Sequence, residues 1–260
     1  MTDPLESLDR QRDRWRRARP ALHLDDPQSA SFGLDSLGSR VRDLSVRFVI
    51  LPSDPELHLV EFDHDLEKWW LSDFPDPISA GGMRWGTSYQ PTASAALRCD
   101  FATGTELNHY VGLRRDGGLD MALGRNGGSQ YQDIGRLWLT AIVGRIWCAC
   151  RLYGDIVARI NAQGPYELSV GVIGTSKRLL AGFGEGWAEP GTDWDTPTPS
   201  TEENLLLRRE LESVAEDSAQ SLAFSFGAEI EDAFGSNSRR FIARLGECSG
   251  RFDHRRYRWP

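Results

Sequence analysis

From Gln132 to Asn161 the apolar residues Ile134, Trp138, Ile142, Ile146, Ala149, Tyr153, Ile156 and Ile160 recur in steps of three and four, the spacing of one helical stripe. Arg136, Thr140, Arg151, Asp155 and Arg159 fall on the other side. A continuous helix of about 30 residues makes a rod of roughly 45 Å, long enough to underlie a whole sheet. Segments of alternating polarity stand before and after it, and they need a common apolar surface. The stretch therefore predicts a central helix around which the chain is built.

Before that helix, LSVRFVIL at about 44–51 reads as a strand, followed by Pro-Ser-Asp-Pro and a second strand at 56–62. Asp63 to Leu71 reads as a short helix, ended by Pro75 and Pro77. The clearest β signal comes next. Leu97, Cys99 and Phe101 alternate with Arg98 and Asp100, and Leu107, His109, Val111 and Leu113 alternate with Asn108, Tyr110 and Arg114. Leu119, Met121 and Leu123 supply a third face, and Arg115-Asp116-Gly117-Gly118 carries the Asp-Gly that gives a tight hairpin its positive φ angles. An antiparallel meander with one buried face follows, with Leu97, Phe101, Leu113 and Met121 set on the helix stripe.

Beyond the helix, Gly164-Pro165 predicts its stop, and Tyr166 to Ile173 a further strand. From Glu203 two patterns compete. Leu207, Leu211, Val214, Ala219, Leu222, Phe226, Ile230 and Phe234 make one helical stripe, and Ser200-x-x-Glu203 resembles a capping box. Leu205, Leu207 and Leu211 also fit a strand, and the reading adopted is a strand at 204–212 followed by a helix at 216–234, closed by Gly235. The predicted class is α+β: an antiparallel β-meander packed on a long central helix, with a second C-terminal helix. Residues 1–40 read as an Arg-rich arm and linker, 41–235 as one domain and 236–260 as an Arg-rich tail.

Composition narrows the function classes. With 260 residues, 40% of them apolar, and nine Trp, the chain can build a sizeable core. A formal charge of −8 disfavours general attraction to nucleic acid or anionic membranes. The ends differ from that average: Arg10 to Arg19 holds six Arg and one acid, and Ser238 to Pro260 seven Arg and two acids. Only Lys68 and Lys177 stand against 28 Arg, a bias that fits a GC-rich coding habit and weakens a special reading of each Arg. Cys99, Cys148, Cys150 and Cys248 form no C-x-x-C pair and read as reduced thiols packed as small hydrophobes. The first twenty residues lack a signal-peptide core, and only eight uncharged residues separate Arg136 from Arg145, too few to span a bilayer. These features point to the cytoplasm and to no membrane partner.

The hairpin YVGLRRDGGLDMAL, the helix IGRLWLTAIVGRIWCACRLYG, the strand YELSVGVIG and the closing stretch NLLLRRELESVAEDSAQSLAFSFGAEIEDAFG occur in a familiar order. Over about residues 40–235 they resemble the C-terminal α+β region that accompanies Schlafen-like AlbA-type domains in bacterial proteins described as DNA-binding or ATP-binding. The AlbA-type domain itself finds no room in this sequence, and nucleic-acid or nucleotide binding belongs to that part. The resemblance thus implies an accessory, ligand-sensing or assembly role, and it favours a strand at 204–212.

Candidate chemistry is sparse. His58, Glu61, Asp63, His64 and Asp65 are the densest set of metal-ligand types, but His58 and His64 on one strand stand roughly 20 Å apart, and no H-E-x-x-H spacing exists. His109 reads as a hydrogen-bonded core histidine. Gly182-x-Gly-x-Gly186 lacks the spacing of a dinucleotide fingerprint, Gly171 to Lys177 only superficially resembles a P-loop, and no G-x-S-x-G elbow occurs. Trp69-Trp70 predicts one buried and one surface ring. Within Gly81 to Gln90, Arg84, Trp85, Thr87, Ser88 and Tyr89 suit a phosphate, a base or a peptide, or else form a sheet-edge loop with its own hydrogen bonds. The expectation is a non-enzymatic binding or assembly module with no cofactor, no metal and a protein partner, an accessory part of a bacterial multi-protein system. The alternative is nucleic-acid binding through the Arg-rich ends, with Arg255, Arg256 and Arg258 as phosphate contacts beside the 81–90 loop. An unrecognised enzyme is the third class.

Overall fold

The computed structural model describes residues 40–41, 44–53, 60–73, 88–91, 95–124, 136–181, 200–214, 216–235, 246–247 and 251–252. In chain order the elements are β1 (Arg40–Val41), β2 (Leu44–Pro52), α1 (His64–Lys68), a π-type turn (Trp69–Asp73), β3 (Ser88–Pro91), β4 (Ala95–Thr103), β5 (Glu106–Arg114), β6 (Leu119–Gly124) and β7 (Arg136–Trp138). Then come α2 (Leu139–Ile160), β8 (Tyr166–Ile173), a 3₁₀ turn (Thr175–Lys177), β9 (Leu179–Ala181), β10 (Asn204–Leu211), α3 (Glu216–Ala233), β11 (Gly246–Glu247) and β12 (Arg251–Phe252).

The main sheet has the strand order β10-β8-β2-β6-β5-β4-β3, with every neighbouring pair antiparallel; β1 adds to β5 in parallel. The predicted meander is β4 to β6; β3, which overlaps the stretch read as a loop, adds to its outer edge as a further strand. Its hairpin closes through Arg114 N–H to Gly118 O at 2.8 Å, with Gly117 alone of the turn at positive φ, 78°. That is a three-residue loop with a bulge, in which Gly117 of the Asp-Gly pair takes the positive φ. The 204–212 strand and the 216–234 helix are observed as β10 and α3. Of the 56–62 strand, 56–59 lies outside the described residues, and Val60 N–H bonds the hairpin carbonyl of Arg115 without a ladder.

The central helix is shorter than the stripe suggested: 22 residues, or about 33 Å at 1.5 Å per residue. Residues 136–138 form β7, paired in parallel with β9. At the other end Asn161, at φ 51°, turns the chain, and Ala162 N–H reaches back to Val157 O at 3.0 Å. This 6→1 bond is a Schellman stop, three residues before Gly164. Residues 142–150 are buried throughout, Arg145 included, because α2 packs on the sheet and against α3. β12 also lies against α3.

Face assignment corrects one expectation. Val46, Phe48, Ile50, Val111, Leu113, Leu119, Met121, Leu168, Val170 and Val172 join Ile142, Ile146, Tyr153 and Ile156 in the main core. Leu97 belongs instead to a second cluster on the opposite face, with Ala95, Cys99, Leu107, Tyr110 and Ala122, and Phe101 is exposed. The register sets Ala96, not Leu97, opposite Leu113, and shifts again between Asp100 and Phe101. The centre of the sheet is therefore buried on both faces, not on one.

Candidate functional site

Ser88 and Tyr89 lie on the outer strand β3, in register with Cys99 and Arg98. Arg84, Trp85 and Thr87, and likewise Arg255, Arg256 and Arg258, lie outside the described residues. So does His58; His64 is exposed and sits 3.8 Å from Glu67 on its own short helix. No group of three His, Cys, Asp or Glu able to hold a metal occurs among the described residues. Trp70 is fully buried, while Trp69 is half-buried under Arg159, whose guanidinium is 4.9 Å from its ring centre.

The buried ionisable groups act as struts. Arg47 on β2 forks onto Asp120 of β6, with Nε to Oδ1 at 3.4 Å and Nη2 to Oδ2 at 3.3 Å. Burial opposes its charge, but Asp120 and the Tyr110 hydroxyl more than offset that, so the guanidinium is held more firmly protonated than usual. Arg114 Nε donates to Asp116, whose Oδ1 also accepts from Gly118 N–H at 3.1 Å, which rigidifies the hairpin. His109 is buried, its Nδ1 3.6 Å from Asp100, whose Oδ2 accepts from Asn108 Nδ2 at 2.8 Å. Burial pushes the Cys99 and Cys150 thiols up to about 12, so they stay protonated and unreactive at neutral pH. These arrangements join strands or close turns.

The P-loop-like stretch is committed elsewhere. Gly174, at φ 72°, donates its N–H to Asn204 Oδ1 at 2.9 Å, and Thr175 N–H donates to Glu203 O at 2.8 Å. The buried Thr175 hydroxyl donates to Glu202 O at 2.6 Å. Two N–H groups that a phosphate cradle would offer are thus spent on the 202–204 backbone and side chain. Ser200 accepts from Glu202 N–H at 3.1 Å, so the capping-box pattern forms a turn ahead of a strand, not a helix start. Together these bonds clamp the beginning of β10.

β10 is the element this clamp presents. Ser53 N–H donates to Pro165 O across β2 and β8, so in register the odd-numbered residues of β8 face β2 and the even-numbered ones face β10. On β10, Leu205, Leu207, Arg209 and Leu211 then direct their backbone groups to β8, and Leu206, Arg208 and Glu210 direct theirs outward. The outward Arg208 carbonyl accepts from Arg209 Nη1 at 2.7 Å, a local substitute for a strand partner. Side chains divide similarly. Leu205 is buried and Leu207 and Leu211 pack against the main core; Leu206, Arg208 and Glu210 are exposed. Arg209 pairs with Glu229 of α3 and lies 5.4 Å over Phe226. Among the described residues β10 pairs with β8 alone, so no further strand faces the outward groups of Leu206, Arg208 and Glu210 there. The sequence motifs carry no signal for this, because an edge is a property of strand order.

Comparison with protein-family models, with curated proteins and with solved structures finds no match.

Proposed function

We propose that the chain is a non-enzymatic assembly module, an accessory part of a bacterial multi-protein system that binds protein through the open edge of β10. The observation that carries this reading is the clamped, regular strand whose outer backbone groups face away from the sheet. The struts and protonated thiols favour a scaffold role over catalysis, and the resemblance to the region accompanying AlbA-type domains fits an accessory partner.

Nucleic-acid binding through the Arg-rich ends is the competing reading. The ends carry about +10, leaving about −18 on the body, so a phosphate track would meet repulsion where it stops. Fluorescence anisotropy with random DNA and RNA at about 150 mM salt separates the two. No saturable low-micromolar binding is expected. Tight, steeply salt-dependent binding that is lost on charge reversal at Arg255, Arg256 and Arg258 would replace the assembly reading.

A further inference from the structure

We infer that the occupant of the β10 edge is a second copy of this chain, paired antiparallel about a two-fold axis through Arg209. The inference rests on the assembly reading above and names its partner. Antiparallel pairing requires residues whose backbone groups both face the neighbour to stand opposite each other, so a symmetric register centres on one residue. Centring on Arg208 sets Arg208 against Arg208, and centring on Glu210 sets Glu210 against Glu210. Like charges directly opposite are unfavourable in a ladder. Centring on Arg209 sets Arg208 opposite Glu210 twice, and both belong to the outward-facing set that exchanges hydrogen bonds.

The same register sets Leu207 opposite Leu211 twice, on the helix side of the sheet. Both residues are only partly buried, and both border the main core, so the two cores would join across the new ladder. Arg209 would face Arg209, but each is already neutralised by Glu229 of its own α3. The Arg208 carbonyl exchanges its bond from Arg209 for a backbone N–H of the neighbour. Charges on an edge strand usually prevent pairing. Here their order disfavours the two registers next to this one, which set Arg208 or Glu210 against itself, and a two-fold contact of this kind closes on itself as a dimer.

Sedimentation of the full chain over a concentration series tests this. The wild type is expected to form a dimer. Arg208→Glu and Glu210→Arg, both at exposed positions, should each weaken it by about thirtyfold through two like-charge pairs. An equimolar mixture of these two variants should form a mixed dimer, because every 208–210 pair is then opposite in sign, and the double variant R208E/E210R should regain self-association. Circular dichroism and thermal melting confirm that each variant is folded. A wild type that stays monomeric at about 100 µM, or variants that fail to rescue one another, would overturn the proposal. In that case, binding of a co-encoded protein that is lost in Leu206→Lys keeps the assembly reading and removes only the dimer. A monomer that binds random DNA tightly removes both.

Discussion

Arg47 and Asp120, on neighbouring strands β2 and β6, form a two-pronged ion pair on the sheet face turned away from the helices, and each is almost fully buried. Their register explains the pairing. Val49 stands opposite Asp120 and Arg47 opposite Ala122, so the two charges sit one diagonal step apart on the same face. Tyr110, cross-strand from Ala122, completes the group.

Removing one member should cost more than removing both. Asp120→Asn takes away the carboxylate that offsets the burial of Arg47, and it should destabilise the fold by about 3 kcal/mol. The double variant Arg47→Met/Asp120→Leu should recover most of that loss. Urea unfolding of Arg47→Met, Asp120→Leu and the double variant measures the coupling. Equal, additive losses would show that the pair is not a unit.

The central helix gives a second expectation. Ile146 is fully buried in the main core, and the helix is covered on both sides by sheet and α3. Ile146→Ala should cost about 2–5 kcal/mol and Ile146→Asp more than 4 kcal/mol, since an unpaired charge would enter the core. A near-wild-type melting temperature for Ile146→Asp would contradict the packing described.

The elements were legible where local pattern decides them. Alternation in Leu119, Met121 and Leu123 found β6, whereas the leucines of 204–212 fitted a strand and a helical stripe alike, and β10 was one of two open readings. What failed was anything set by distant partners. Residues 136–138 keep the helical spacing but pair with β9, and alternation in β4 could not reveal which of Ala96 and Leu97 stands opposite Leu113. The residues singled out for binding at 84–89 rested on composition, and only Ser88 and Tyr89 fall among those described. Edge status was invisible for the same reason as register: it depends on the whole strand order.

The clamp at the start of β10 can be loosened without touching the strand. Thr175→Val removes the buried hydroxyl that donates to Glu202 O and should cost about 1–2 kcal/mol. Amide hydrogen exchange should rise first at residues 204–206, next to the carbonyl and amide groups that Thr175 and Gly174 hold. Faster exchange spread evenly over the sheet would mean that the clamp does not act locally.

The buried thiols give a pH dependence with a definite sign. Burial raises Cys99 and Cys150 from 9.0 to about 12 in the folded chain. Below about pH 9 both folded and unfolded states keep these protons, and their contribution to stability is fully present. As pH rises, the unfolded chain releases protons that the folded chain retains, so stability falls between about pH 9 and about pH 12, by up to about 1.4 kcal/mol per pH unit for each thiol. Tyr153, raised mainly by burial, adds to the decline at its upper end. Replacing Cys99 or Cys150 by Ala should flatten the slope by about one proton each, read from urea midpoints across that range. In a Cys248→Ser background, the native protein at pH 8 should leave a thiol-specific disulfide reagent unreacted until urea is added. Rapid labelling of Cys99 or Cys150 in the native protein would show that these thiols are open to solvent and would remove the basis for the alkaline slope.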